Sequence, residues 1–118
     1  MSGRTRKVES QIREIVGEEV ASLSDPRIRG LVTVTGVRVS PDLANATVFY
    51  SVLSGESTEE AQHGLQSAAG RIQVSLGTQT RLKRTPRLRF EPDPAVEQAT
   101  RIESALREVR EDDDPHEE

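Results

Sequence analysis

LVTVTGVRVSPDLANATVFYSVL, residues 31–53, is the stretch whose reading decides the fold. Val32 and Val34 share one face of an extended chain, and Val37 and Val39 continue in the opposite phase. The phase slips by one residue at Thr35-Gly36, which predicts a β-bulge and not a strand end. From Ala44 onward Ala46, Val48, Tyr50 and Val52 alternate with Thr47, Phe49, Ser51 and Leu53. Ser40-Pro41-Asp42 between the two runs is turn chemistry. The connection is short, so the pair is an antiparallel hairpin.

On the N-terminal side, Val8, Ile12, Ile15, Val16, Val20 and Leu23 recur at spacings of three and four. They predict a helix from Thr5 to Leu23 with one apolar stripe. Ser24-Asp25-Pro26 ends it, because the residue before proline avoids the helical region. After the hairpin, Ser57-Thr58-Glu59-Glu60 fits a capping box. Ala61, Leu65, Ala68, Ile72 and Leu76 then form a second stripe. Gly64 and Gly70 interrupt it, each at a cost of about 1 kcal/mol relative to Ala. Ala68-Ala69-Gly70 is read as a kink between two helices, the alternative being that Gly70 permits close helix packing. Gly77 suits a C-terminal cap. Leu88 and Phe90 alternate with Arg87 and Arg89 in a third strand over 87–91 that follows Pro86. A last helix spans 95–110 after Pro94, with Val96, Ala99, Ile102, Leu106 and Val109 along one side.

The resulting order is helix, strand, strand, helix, kink, helix, strand, with a further C-terminal helix. This is an α+β fold in which one layer of helices covers one face of a three-stranded sheet. The other face stays wet, as the polar half of each alternation allows. A chain of 118 residues makes one domain, assigned here to 1–110. Residues 111–118, EDDDPHEE, are read as a disordered acidic tail.

Charge is distributed unevenly. The formal net charge is -4, but discounting the six acids of the tail turns it to +2. Arg81 to Phe90, RLKRTPRLRF, holds five of the sixteen basic residues. With Arg71, the positions Arg81, Lys83, Arg84, Arg87 and Arg89 make six cations and no acid from 71 to 90. These six are expected to converge on one side of the domain, with Arg4, Arg6 and Lys7 extending the patch. Such a cluster neutralises phosphates and releases counterions. Basic residues also solubilise sheet edges. A merely solvated surface mixes both signs, however, so twenty residues without an acid favour RNA. Phe49, Tyr50 and Phe90 are the only Phe, Tyr or Trp side chains, so backbone and shape recognition outweigh stacking.

Other classes find little support. The chain has no Cys, which excludes disulfides, thiolate metal sites and a Cys nucleophile. His63 and His116 stand apart from any metal-ligand spacing, and no P-loop is present. Asp25 and Asp42 adjoin Pro26 and Pro41 in turn segments, and turn-making accounts for them. No enzyme activity, metal or cofactor is expected. No apolar run suits a membrane span and the N-terminus is unlike a signal peptide, so a soluble cytoplasmic protein is expected; it is read as a monomer.

DPRIRGLVTVTGVRVSPDLANATVFY, LQSAAGRIQVSLG and RLKRTPRLRF, in this order and spacing, resemble the ribosome-binding factor A family. With the first helix they cover most of residues 4–110. The resemblance implies a type II KH-like domain. Ala68-Ala69-Gly70 takes the place of the Gly-x-x-Gly loop of standard KH domains, as an interhelical kink. It further implies an assembly factor that binds the free or immature small (30S) ribosomal subunit and promotes late 16S rRNA maturation, including 5′-end processing, above all in the cold. An assembly GTPase would assist its release. The alternative class is a hibernation or stress factor on mature ribosomes.

Overall fold

The computed structural model describes residues 3–113, without the side chains of residues 4, 97, 99, 100, 104 and 110–113. Its elements are α1 (Gly3–Ala21), β1 (Val32–Val39), β2 (Asn45–Val52), α2 (Thr58–Gln79), β3 (Arg87–Pro92) and α3 (Pro94–Asp113). The sheet order is β1-β2-β3. β1 and β2 pair antiparallel, whereas β3 runs parallel to β2 and so needs the crossover that α2 provides.

The bulge lies where the alternation slips. Val34 pairs with Tyr50 and Gly36 with Phe49, which leaves Thr35 without a partner in the ladder. All four valines of β1 thereby face the same way as Ala46, Val48 and Tyr50. The Thr35 hydroxyl is turned to use: it donates to Asp93 Oδ2 at 2.6 Å. Asp93 Oδ1 in turn accepts from the Ala95 N–H at the start of α3. The Thr35 hydroxyl and these cap contacts hold the Asp93 carboxyl below its usual range.

The core fills the face of the sheet beneath α1 and α2. Val8, Ile12, Ile15, Val16, Val20 and Leu23 are all buried, as the stripe requires. At about 1.5–3 kcal/mol for each fully buried side chain, this stripe outweighs the small helix-propensity cost of its β-branched residues. Ala61, Leu65, Ile72 and Leu76 seat α2 on the other half. Gln62 points inward among them. The Tyr50 hydroxyl donates to its Oε1, and its Nε2 donates to the Phe90 carbonyl at 2.9 Å. One amide thus satisfies two polar groups that the core would otherwise strand.

Two expectations need correction. The helices expected on either side of Ala68-Ala69-Gly70 are one element of 22 residues, helical throughout. Gly70 is exposed, and a Cβ placed there would meet nothing within 4 Å, so close packing does not explain it. Gly64 is the close-packed glycine: its Cβ would stand 2.8 Å from Ile28 Cδ1 and 3.4 Å from Arg27 Cβ. Gly77 is not the cap; α2 runs on to Gln79, with Thr80 extended beyond it. A Cβ at Gly77 would fall 2.8 Å from Thr85 Oγ1, so this glycine lets the loop before β3 fold back onto the helix. The stripe of α3 is not buried. Val96, Ile102, Leu106 and Val109 are exposed, because α1 and α2 already fill the core face. α3 continues to Asp113, three residues into the acidic segment. Residues 114–118 of that segment lie outside those described.

The turn between α1 and β1 presses Ile28 into place. The Asp25 carboxylate accepts from the Arg27 N–H at 2.9 Å and from its guanidinium at 2.7 Å, while the Asp25 carbonyl accepts from Ile28 and Arg29. Ile28, 1% exposed, therefore has little room to retreat from Gly64.

These contacts can be tested at two positions. Gly64→Ala and Gly70→Ala share the same helix-propensity gain of about 1 kcal/mol. Overpacking against Ile28 should set them about 1–3 kcal/mol apart in urea unfolding, with Gly70→Ala stabilised over the parent. Equal midpoints would show that the Ile28 contact is not tight. The Arg27 hydrogen bonds lower the Asp25 carboxyl to about 2, against about 3.9 for an unfolded Asp. A carboxyl depressed in the folded state adds stability above pH ~4 and loses it as pH falls toward ~2. Asp25→Asn should flatten the acid limb of the stability–pH curve in that window; an unchanged limb would remove Asp25 from it.

Candidate nucleic-acid interface

β3 sets the geometry of the basic residues. Leu88 and Phe90 are buried under α2, so Arg87 and Arg89 project from the opposite, open face of the sheet. Arg87 pairs with Asn45 and Arg89 with Thr47. Thr47 is also paired with Arg38 of β1. Arg38, Thr47 and Arg89 therefore form one row across the three strands.

The loop joining α2 to β3 carries Arg81, Lys83 and Arg84. It borders a groove shared with Asp42 and Leu43 of the β1–β2 turn. Leu43 adopts a left-handed φ of 60°, in a turn closed by its own N–H to the Ser40 carbonyl. The Arg87 N–H donates to the Ala44 carbonyl at 2.8 Å and ties the loop to this turn. The N-terminal part of α1 reaches the same end of the sheet: the Val39 N–H donates to Glu9 Oε2 at 2.9 Å. Thr5 lines a groove with Arg38, Pro41 and Asn45. Arg6 and Lys7 are exposed on that part of the helix. The Arg4 side chain lies outside the described residues.

Arg71 does not join them. It is exposed on α2, on the helical side of the sheet, in a groove with Leu23, Pro26 and Ser67. The loop and β3 thus share one end of the sheet, which the start of α1 reaches, whereas Arg71 lies elsewhere. Arg38 joins the set unforeseen, although Val37-Arg38-Val39 places it outward as surely as Leu88-Arg89-Phe90 places Arg89.

Acids at this end are engaged internally. Asp42 accepts from the Ser40 hydroxyl at 2.7 Å and from the Ala44 N–H at 3.1 Å. These bonds, with a smaller contribution from the Arg84 charge, hold its carboxyl below the usual range. Glu9 is occupied with Val39. Among the described residues, the only ion pair that involves this basic set is Arg89 with Glu91, at 3.9 Å and well exposed. Such a pair is weak and easily exchanged for a phosphate. No group of three or more metal-binding side chains occurs among the described residues, and none of their helices is long and apolar enough to cross a membrane.

Helices on one face of a three-stranded sheet, with the long α2 in place of two helices joined by a Gly-x-x-Gly loop, define a KH-like α+β domain. Residues 4–106 match the family model described as Ribosome-binding factor A. A relative of that name from Rubrobacter xylanophilus is 72% identical over 110 residues, covering 93% of this chain and 90% of its own length. One from Lacticaseibacillus casei is 40% identical, covering 93% and 96%. The crystal structure of ribosome-binding factor A from Thermus thermophilus superposes with a TM-score of 0.69 at 33% identity, over 75% of this chain and 93% of that one. A similar match, TM-score 0.61 at 33% identity, covers 72% and 90% of the two chains; it is to a homology model of the Thermus thermophilus factor fitted into a cryo-EM map of a 30S complex of that factor. The chain belongs to the ribosome-binding factor A family.

The loop is open to a charge test. Changing Arg81, Lys83 and Arg84 together to Ala should bring elution from immobilised heparin to lower salt, with the melting temperature unchanged. For duplex RNA, the slope of log affinity against log salt should flatten by up to about three units, near one for each phosphate that is no longer neutralised. An unaltered elution would remove the loop from the interface.

Proposed function

We infer that this chain is an assembly factor that binds the free or immature 30S subunit and promotes late maturation of its 16S rRNA, including 5′-end processing. The observation that carries this reading is the basic end of the sheet on a domain of this family. Cations from the start of α1, from β1, from the loop before β3 and from β3 itself meet there with their acids engaged. That surface suits the backbone of structured rRNA. Arg71 marks a second, smaller contact on the helical side.

The mechanism is a shift of population. The protein binds one rRNA arrangement more tightly than its alternatives and so favours it. Cold makes this more important, because misfolded RNA then resolves slowly. The factor acts as a cytoplasmic monomer and leaves the maturing subunit with the help of an assembly GTPase. It catalyses no reaction itself.

Gradient sedimentation of a lysate from cold-grown cells tests the reading. The chain should travel with free small subunits that carry unprocessed 16S rRNA, and the Arg81/Lys83/Arg84→Ala variant should shift toward the top. Travel with whole ribosomes would favour a hibernation factor, and travel at the top at low salt would overturn ribosome binding altogether.

A further inference from the structure

The open face of the sheet holds one ring. Phe49 lies on β2 between Gly36 of β1 and Glu91 of β3. Gly36 has no side chain to cover it, and a Cβ there would meet nothing within 4 Å. Phe49 is half-buried and its neighbours on this face are polar, so the ring does not belong to the core. The Arg38 guanidinium stands over it at 5.5 Å from the centroid, near the outer limit of a cation–π contact. Among the described residues no carboxylate pairs with Arg38. It is free to move from the ring to a phosphate.

We propose that this face is a separate binding platform for single-stranded RNA: one unpaired base stacks on Phe49, and Arg38 and Arg89 hold the phosphates on either side of it. The inference rests on the RNA-binding reading above and adds a site of a different kind. The loop cations suit a duplex backbone, whereas an aromatic ring flanked by arginines suits an unstacked base. Arg38 and Arg89 lie two strands apart, about 10 Å, with Thr47 between them. Both belong to the row next to the ring's own, so a base on Phe49 has one cation diagonal to it on β1 and one on β3. Glu91 flanks the ring in its own row on β3, in a weak pair with Arg89 at 3.9 Å, and repels phosphate there, so the strand leaves Phe49 toward Arg87 and the groove beside Pro41 and Asn45. A patch built for solubility alone would not need the bared ring beside its arginines.

The test titrates the full chain with the unpaired ribo-octamer ACACACAC, followed by NMR. Phe90 is buried and serves as the internal control. The Phe49 ring resonances should shift upfield while those of Phe90 stay in place. Phe49→Leu should weaken octamer binding about 5- to 150-fold, the range for loss of one base–aromatic stack. Arg38→Gln with Arg89→Gln should flatten the salt slope by about 1.4. Should Phe49→Leu fold poorly, Thr47→Glu places a negative charge in the row without touching the ring and should abolish the upfield shift. Octamer binding that survives both variants overturns the platform. So do shifts confined to the Arg71 groove, or octaglutamate binding as tightly as the RNA. If the octamer fails here while the chain still travels with small subunits, only this inference falls. If the octamer binds but the chain leaves the subunit fractions, the proposed function falls instead.

Discussion

The period of β3 is the constraint on which both the core and the charged surface depend. Leu88 and Phe90 must lie under α2 because they complete the apolar layer with Val48, Tyr50 and Leu65. A strand repeats every two residues, so burying these two forces Arg87 and Arg89 to the other side. A register slip of one residue would bury two guanidinium groups and expose Phe90, at a desolvation cost no local contact could recover. The arginines are thus held outward by the hydrophobic effect acting on their neighbours. No hydrogen bond has to position them.

The same logic fixes how the layers meet. The parallel pairing of β2 with β3 requires α2 to cross the sheet and return. Gln62 joins that helix to both strands through the Tyr50 hydroxyl and the Phe90 carbonyl. Gly64, two residues on, admits Ile28 and with it the whole turn from α1. At the other end of α2, Gly77 admits Thr85 and thereby brings the Arg81–Arg84 loop down against the β1–β2 turn. Two glycines on one helix therefore place the two loops that carry basic side chains. Their helix-propensity cost, about 1 kcal/mol each, is offset by these close approaches.

Sequence periodicity sufficed wherever one residue type decides one face. The stripe of α1, the bulge at Thr35-Gly36, the hairpin and the outward arginines of β3 were all legible, since each follows from alternation or three-four spacing alone. The function of individual glycines was not. Gly64, Gly70 and Gly77 look alike along the chain and differ only in what stands opposite each in space. The exposure of α3 was equally beyond reach: an apolar stripe shows that a helix can pack, and whether a core has room for it depends on the total volume of α1 and α2. Arg71 and Arg81 are both basic and near in sequence, but a helix surface and the loop after it can face different sides of a sheet.

The acidic net charge and the basic end are compatible because charge acts locally. The Debye length at physiological salt is about 8 Å, so an RNA surface senses the nearest cations and little of the remainder. The strands run so that the β1–β2 turn, the start of β3 and the end of α2 share one end of the sheet, where the cations gather. At the opposite end lie the exit of β2 and the start of α2, with Glu56, Glu59 and Glu60, and the exit of β3, with Glu91 and Asp93. The domain is therefore an electric dipole whose axis lies along its strands. Near a polyanion such a dipole turns its basic end forward before contact. The acids at the opposite end then contribute orientation, which a uniformly basic domain of the same fold could not provide.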